Sequence, residues 1–178
     1  MPQFKNWTLF LDRDGVINRR LPGHYVTHWE TFEWIPGVLP AIAAFSRLFG
    51  RIVVVTNQQG IGKGLMSEKQ LAEIHQHLVK SVVAAGGRID AVYYCPHLST
   101  DNCSCRKPLG GMALSAQADF PEIDFSQSVM AGDTASDIQF GQNLGMITAL
   151  IGSEDTSPWM PQYRFKSLAE MAESWCEK

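Results

Sequence analysis

Two carboxylates stand two residues apart in Leu9-Phe10-Leu11-Asp12-Arg13-Asp14-Gly15-Val16, directly after an apolar run. Taken alone this has a plain reading, because Asp and Gly commonly make turns. It also has a functional one, as a pair of acids offered at the end of a strand. Three further polar groups follow in order. Thr56-Asn57 comes after a second apolar run, and either starts a turn or supplies hydrogen-bond donors. Lys107 lies ahead of a helical pattern and is either a solvated surface lysine or a cation for an anionic ligand. Gly132-Asp133-Thr134-Ala135-Ser136-Asp137 places two more acids four apart across a helix start. Asp137 there is a first-turn acid that the helix dipole favours, or a supporting group of the site.

A second cluster has a different chemistry. Cys95-Pro96-His97, five intervening residues, and Cys103-Ser104-Cys105 bring three thiols and one imidazole together. Four such ligands suit tetrahedral zinc, and a filled ligand set points to a closed, structural site. Thr100-Asp101-Asn102 supplies a turn to fold the loop back. The alternative is a group of free thiols with a surface histidine. Cys176 lies far outside the cluster. His75 and His77 are two apart on a helical pattern, so they face different ways and are not a metal pair.

The elements that must position these groups alternate between strand and helix. Trp7 to Leu11, Arg51 to Val55, Ile89 to Tyr94, Ser128 to Ala131 and Met146 to Ile151 are short, continuously apolar runs. Such runs suit parallel strands buried on both faces. Helical patterns lie between and after them, over Val38 to Phe49, from Ser67 to Gly86-Gly87, and over Met112 to Phe120, Ala135 to Leu144 and Ser167 to Cys176. Ser67 and Gln70 fit a capping box. The pattern predicts an α/β fold with a doubly wound, Rossmann-like parallel sheet. Asp12, Thr56 and Asp133 each follow a strand, and open α/β sheets bind ligands outside the carboxyl ends of their strands. The stretch from Arg13 to Pro36 has little regular pattern and reads as a flap over that place.

Composition narrows the function. The 178 residues suit one domain spanning 1–178. With 45% apolar and 19% charged residues the chain has the make-up of a soluble globular protein. A formal net charge of -3 gives no global basic field, so no nucleic-acid partner is expected. No apolar run nears the roughly 18 residues of a membrane span. Met1 to Trp7 lacks the pattern of a signal peptide. The expected setting is the cytoplasm, where thiols stay reduced, and the expected state is a monomer. Gly60-Ile61-Gly62-Lys63-Gly64 lacks the spacing of a nucleotide-triphosphate loop.

The ordered set from Leu9 to about Ile151 resembles the haloacid dehalogenase-like hydrolase superfamily. The resemblance implies a magnesium-dependent phosphatase that works through an aspartyl phosphate. It makes Asp12 the nucleophile, and Asp14 the acid that protonates the leaving alcohol and then the base that activates water. It implies Mg2+ held by the Asp12 carboxylate, the Asp14 main-chain carbonyl and Asp133, with Asp137 in support. Thr56 and Lys107 would act on the phosphoryl group. Arg13, Tyr25, Asn57, Gln58, Gln59 and Arg106 are the expected substrate contacts.

The zinc loop, Cys95, His97, Cys103 and Cys105, narrows the resemblance to the zinc-bearing heptose bisphosphate and histidinol-phosphate phosphatases. Asp12 to Asn18, Thr56 to Gly64, Tyr93 to His97 and Cys105 to Pro108 look like the heptose branch. The chain departs from that branch in the short loop between His97 and Cys103, in Gly110 where proline is the pattern, and in Thr134 where some members carry lysine. The implied substrate is a small sugar bisphosphate, cleaved at the 7-phosphate of a heptose. Histidinol phosphate is the alternative. A nucleic-acid end phosphatase would want a basic groove, and a non-catalytic zinc module would not need the intact acid set.

Overall fold

The computed structural model describes residues 4–176; Met1 to Gln3, part of the segment read for a signal peptide, lie outside the described residues. Six parallel strands form one sheet in the order β3-β2-β1-β4-β5-β6. They are β1 (Thr8–Leu11), β2 (Arg51–Asn57), β3 (Ala91–Cys95), β4 (Ser128–Gly132), β5 (Ile147–Ile151) and β6 (Tyr163–Phe165). The helices are α1 (Val38–Leu48), α2 (Glu68–Ala84), α3 (Gly111–Asp119), α4 (Ala135–Asn143) and α5 (Leu168–Cys176). The predicted alternation is therefore present, with ends shifted by a residue or two.

Strand geometry sends neighbouring side chains to opposite faces, and the apolar runs supply both. Leu9, Leu11, Ile52, Val54, Val129 and Ala131 enter one core, beneath α1, α2 and α5. Phe10, Val53, Val55 and Met130 enter the other, where Met112, Ala113 and Phe140 of α3 and α4 meet them. On α2, Leu71, Ile74, Leu78 and Val82 recur at helical spacing and are fully buried. Each such side chain contributes about 1.5–3 kcal/mol of transfer free energy. The Ser67–Gln70 capping box that opens α2 is formed on both sides.

The sixth strand was not legible as a strand. Tyr163-Arg164-Phe165 is a three-residue edge with an exposed tyrosine, so it lacks the continuous apolar run of the buried strands.

The strand order sets the position of the site. The chain proceeds outward from β1 through β2 to β3, then returns to place β4 on the other side of β1. The crevice between β1 and β4 is thus the point where the winding reverses, the place where open α/β sheets bind ligands.

Candidate active site

A cavity of about 450 Å³ opens at the carboxyl ends of the strands. Asp12, Asp14, Thr56, Lys107 and Asp137 line its floor, and Arg20 to Val26 of the flap line one wall. The stretch between β1 and α1 is therefore the expected cover. It is also more ordered than its sequence suggested. Val16 and Ile17 are fully buried, and bridges join Asn18 to Asp14 and to Trp34.

Asp12 follows β1 and is 7% exposed. Its Oδ1 accepts from Lys107 Nζ at 2.8 Å. The same ammonium donates to Asp137 Oδ1 at 2.6 Å and to the Val55 carbonyl at 2.8 Å. Burial opposes the charge on Lys107, but Asp12 and Asp137 outweigh it and hold its pKa above the ordinary lysine range. Burial pushes the Asp12 carboxyl up to about 6, with Lys107 pulling down and Asp137 pushing up. The backbone of Lys107 is fixed as well. Its N–H donates to Asn57 Oδ1 at 3.0 Å, and Asn57 Nδ2 donates back to its carbonyl at 3.2 Å.

Asp14 is held by four side-chain hydrogen bonds. Arg13 Nη2 donates to both carboxylate oxygens at 2.9 and 3.0 Å, Asn18 Nδ2 to Oδ1 at 2.9 Å, and Gln58 Nε2 to Oδ2 at 2.7 Å. Burial alone would raise the Asp14 pKa; Arg13, Asn18 and Gln58 together take it below the ordinary carboxylate range. Thr56 Oγ1 accepts a second bond from Gln58 at 2.8 Å.

Asp133 faces Asp12 and Asp137, and oxygens of all three lie within 4.8 Å of one another. Burial and the two neighbouring charges push Asp133 up to about 8, although Arg20 and Lys107 pull it down. Arg20, from the flap, meets its two oxygens at 3.0 and 2.9 Å. Three crowded carboxylates whose cations do not cancel them fit a hard divalent cation such as Mg2+. Two glycines give this nest room. A Cβ on Gly15, which has a φ of +94°, would stand 1.9 Å from Asp133 Oδ2. One on Gly132 would stand 2.2 Å from the Asp137 Cβ. Asp137 also closes a capping box with Thr134 in the first turn of α4, and its other oxygen takes the bond from Lys107.

Beside the cavity, the ligand atoms of Cys95, His97, Cys103 and Cys105 lie within 4.8 Å of one another. A tetrahedron with metal–sulfur bonds of ~2.3 Å has edges of about 3.8 Å. Cys95 Sγ lies 3.8 Å from Cys103 Sγ and 3.6 Å from His97 Nδ1. Cys105 is drawn closer, 2.7 Å from Cys95 and 3.1 Å from His97. The donor set fits zinc. The loop is tied in at two places: the Gly62 N–H donates to the Pro96 carbonyl, and the Gly111 N–H donates to the Ser104 carbonyl, both at 3.0 Å.

The comparisons meet this geometry. The HAD-hydrolase-like family model matches residues 104–171. The D-glycero-alpha-D-manno-heptose-1,7-bisphosphate 7-phosphatase of Mycobacterium tuberculosis (strain CDC 1551 / Oshkosh) is 44% identical over 138 residues, 78% of this chain and 73% of the relative. The enzyme of the same name from Campylobacter jejuni is 34% identical over 174 residues, 98% of both chains.

The chain belongs to this family of haloacid dehalogenase-like phosphatases.

Among solved structures, the D,D-heptose 1,7-bisphosphate phosphatase of B. bronchiseptica, complexed with magnesium and phosphate, superposes with a TM-score of 0.86. It is 29% identical, and the match covers 96% of this chain and 98% of that one. A haloacid dehalogenase-like phosphatase of this kind needs a floor for the phosphoryl group, and the cavity supplies one.

Most of the residues singled out from sequence converge there. Asn57, Gln58, Gln59, Tyr25 and Arg106 all line the phosphatase cavity, and Gln59 Nε2 donates to the Tyr25 hydroxyl at 2.8 Å. Arg13 is the correction. It is 0% exposed and turned behind Asp14, because its two carboxylate bonds point it into the protein and away from the cavity. It is not a substrate contact. Arg20 and Lys63, cations of segments expected near the site mouth, also line the cavity. Their positions in the flap and in the turn after β2 were the available signal. Glu30 and Glu33, the flap acids that could have met a substrate amine, are absent from the cavity wall, and Glu33 pairs with Arg19 at 3.6 Å.

Proposed function

We propose that this phosphatase cleaves the 7-phosphate of a D-glycero-D-manno-heptose 1,7-bisphosphate. The observation that carries this reading is the charge of the cavity mouth. Beyond the catalytic floor, Arg20, Lys63 and Arg106 face the same space, and among the described residues no glutamate does. A second anionic group on the substrate matches those cations, whereas the cationic amine of histidinol phosphate does not. The names carried by the relatives support the same substrate class.

In the proposed reaction an Asp12 carboxylate oxygen attacks phosphorus, and the bond to the sugar oxygen breaks as Asp14 passes to it the proton that the bound phosphate monoanion brings. Asp14 then takes a proton from water as that water attacks the phosphoryl group. The Asp12–phosphorus bond breaks and inorganic phosphate leaves. Lys107, Thr56 and the backbone after β2 provide positive charge and donors where charge develops. The Asp12 and Asp133 carboxylates and the Asp14 carbonyl would hold Mg2+, which when bound supplies charge neutralisation between carboxylate and phosphate. Zinc at Cys95, His97, Cys103 and Cys105 would fix the loop that presents Arg106 and Lys107. We read the chain as a monomer built as one phosphatase domain. The three thiols of the zinc cluster suit a reducing compartment, and we place the reaction in the cytoplasm. No helix among the described residues is long and apolar enough to cross a membrane.

The test is a comparison of kcat/KM for both heptose bisphosphate anomers, histidinol phosphate and p-nitrophenyl phosphate. The bisphosphates should lead. A higher value for histidinol phosphate would overturn the substrate and leave the phosphatase chemistry standing.

A further inference from the structure

Behind the floor of the cavity lie two buried polar groups, Arg13 and His75, that no step of the reaction uses directly. Arg13 is fully buried, although an arginine costs a great deal to desolvate without partners. One end of its guanidinium, Nη2, forks onto both oxygens of Asp14. The other end, Nη1, lies 3.2 Å from His75 Nε2. Arginine has only donors. His75 Nε2 must therefore be the acceptor, which makes the imidazole neutral and puts its single proton on Nδ1. His75 comes from the buried face of α2, one residue past Ile74 and three before Leu78, both fully buried. The order is thus helix core, imidazole, guanidinium, carboxylate, cavity.

We propose that His75 is a positioning residue for proton transfer: by holding Nη1 of Arg13, it fixes the guanidinium in the orientation in which Nη2 grips Asp14. A planar guanidinium has one remaining rotation when only one of its ends is held. Fastening the opposite nitrogen removes that rotation, and with it the swing of the carboxylate that must meet the leaving oxygen. Gln58, which lines the cavity, and the buried Asn18 hold the same carboxylate, so His75 sets its orientation rather than its presence. The inference rests on the reading of Asp14 as the proton donor.

That role has a signature that a loosened fold lacks. A poor leaving group, the sugar alkoxide, needs the proton as the bond to phosphorus breaks. A good one, 2,4-dinitrophenolate, does not. The quantity kcat/KM covers only the steps through phosphoryl transfer to Asp12, so it isolates this event. His75→Leu removes the acceptor, and His75→Gln restores one through its amide oxygen. In His75→Leu, kcat/KM for an alkyl phosphate should fall about 10-fold or more, part of the ~10²–10⁴ that general acid catalysis provides. For 2,4-dinitrophenyl phosphate it should stay within about twofold of wild type, which also reports that the variant is folded. His75→Gln should recover most of the alkyl phosphate loss. Equal losses on both substrates in His75→Leu, or no recovery in His75→Gln, would overturn the proposal. Asp14→Asn separates the two layers. If it spares the aryl ester while His75→Leu does not, only the positioning role fails. If Asp14→Asn itself loses equally on both, the underlying reading of Asp14 fails with it.

Discussion

At the scale of single residues, charge placement separates the roles. Asp12 and Asp137 share the Lys107 ammonium and both line the cavity, and Asp12 is the one that directly follows β1, where the winding of the sheet reverses. Asp12→Asn keeps the shape and removes the nucleophile, so turnover should fall by at least ~10³-fold with the fold intact. A rate above a tenth of wild type would exclude the covalent route. Arg106 lines the mouth and reaches the His97 carbonyl only at 3.4 Å, so its guanidinium is available to substrate. Arg106→Ala should lower kcat/KM for a heptose bisphosphate by ~10-fold or more, the scale of one charge-assisted contact, and much less for p-nitrophenyl phosphate. Equal losses would remove Arg106 from specificity. Asp12 was legible because it follows a strand end, which fixes which way the next group points, and Arg106 through its place directly after the thiol loop. Arg13 was not. Its neighbours Asp12 and Asp14 both belong to the site, but the direction of its side chain depends on His75, 62 residues away. No local pattern carries that information.

At the scale of elements, α2 shows how one helix serves two structures. Its buried face meets the sheet and places His75, while His77 stacks on Trp29 of the flap with ring centroids 5.1 Å apart. Gln70 near its start also contacts His28 of the flap at 2.9 Å. The two histidines do face different ways, as helical spacing requires. Four of the apolar strands were readable because each is buried on both faces, and β3, a half-buried edge, showed through the longer run from Ile89 to Tyr94. The edge strand β6 escaped because solvent on one side relaxes that demand. The turn after β1 was readable as Asp and Gly, though the reason for the glycine was not. Gly15 has a left-handed φ, and a methyl there would overlap Asp133. Gly15→Ala should therefore raise the magnesium concentration needed for half-maximal activity by about 10-fold or more, the scale of disturbing a group that orients a metal ligand. A magnesium titration of the variant that overlays the wild type would show that the nest can relax.

At the scale of the whole molecule, the two metal sets belong to different parts of the architecture and should respond differently to chelation. The acid nest opens to the cavity, where a magnesium ion keeps waters and exchanges. The thiol cluster is built into the protein: Cys95 is fully buried, and Cys103 and Cys105 pack against the core beneath α3. Brief EDTA treatment should abolish activity, magnesium should restore it, and zinc should remain bound throughout by elemental analysis. Protein purified without chelator that contains no zinc would refute the cluster. Closing an 11-residue loop, 95 to 105, is worth about 3 kcal/mol in chain entropy, by the relation used for covalent cross-links. For a chain of this length that corresponds to a Tm change of about 6–12 °C. Cys103→Ser should therefore lower Tm by several degrees and weaken catalysis, because Arg106 and Lys107 follow directly from the loop. Adding magnesium to this variant should leave the lost Tm unrecovered, since the damage lies on the α3 side of the sheet and not in the nest. Full recovery by magnesium would mean that one coupled metal centre, rather than two independent ones, stabilises the strand ends.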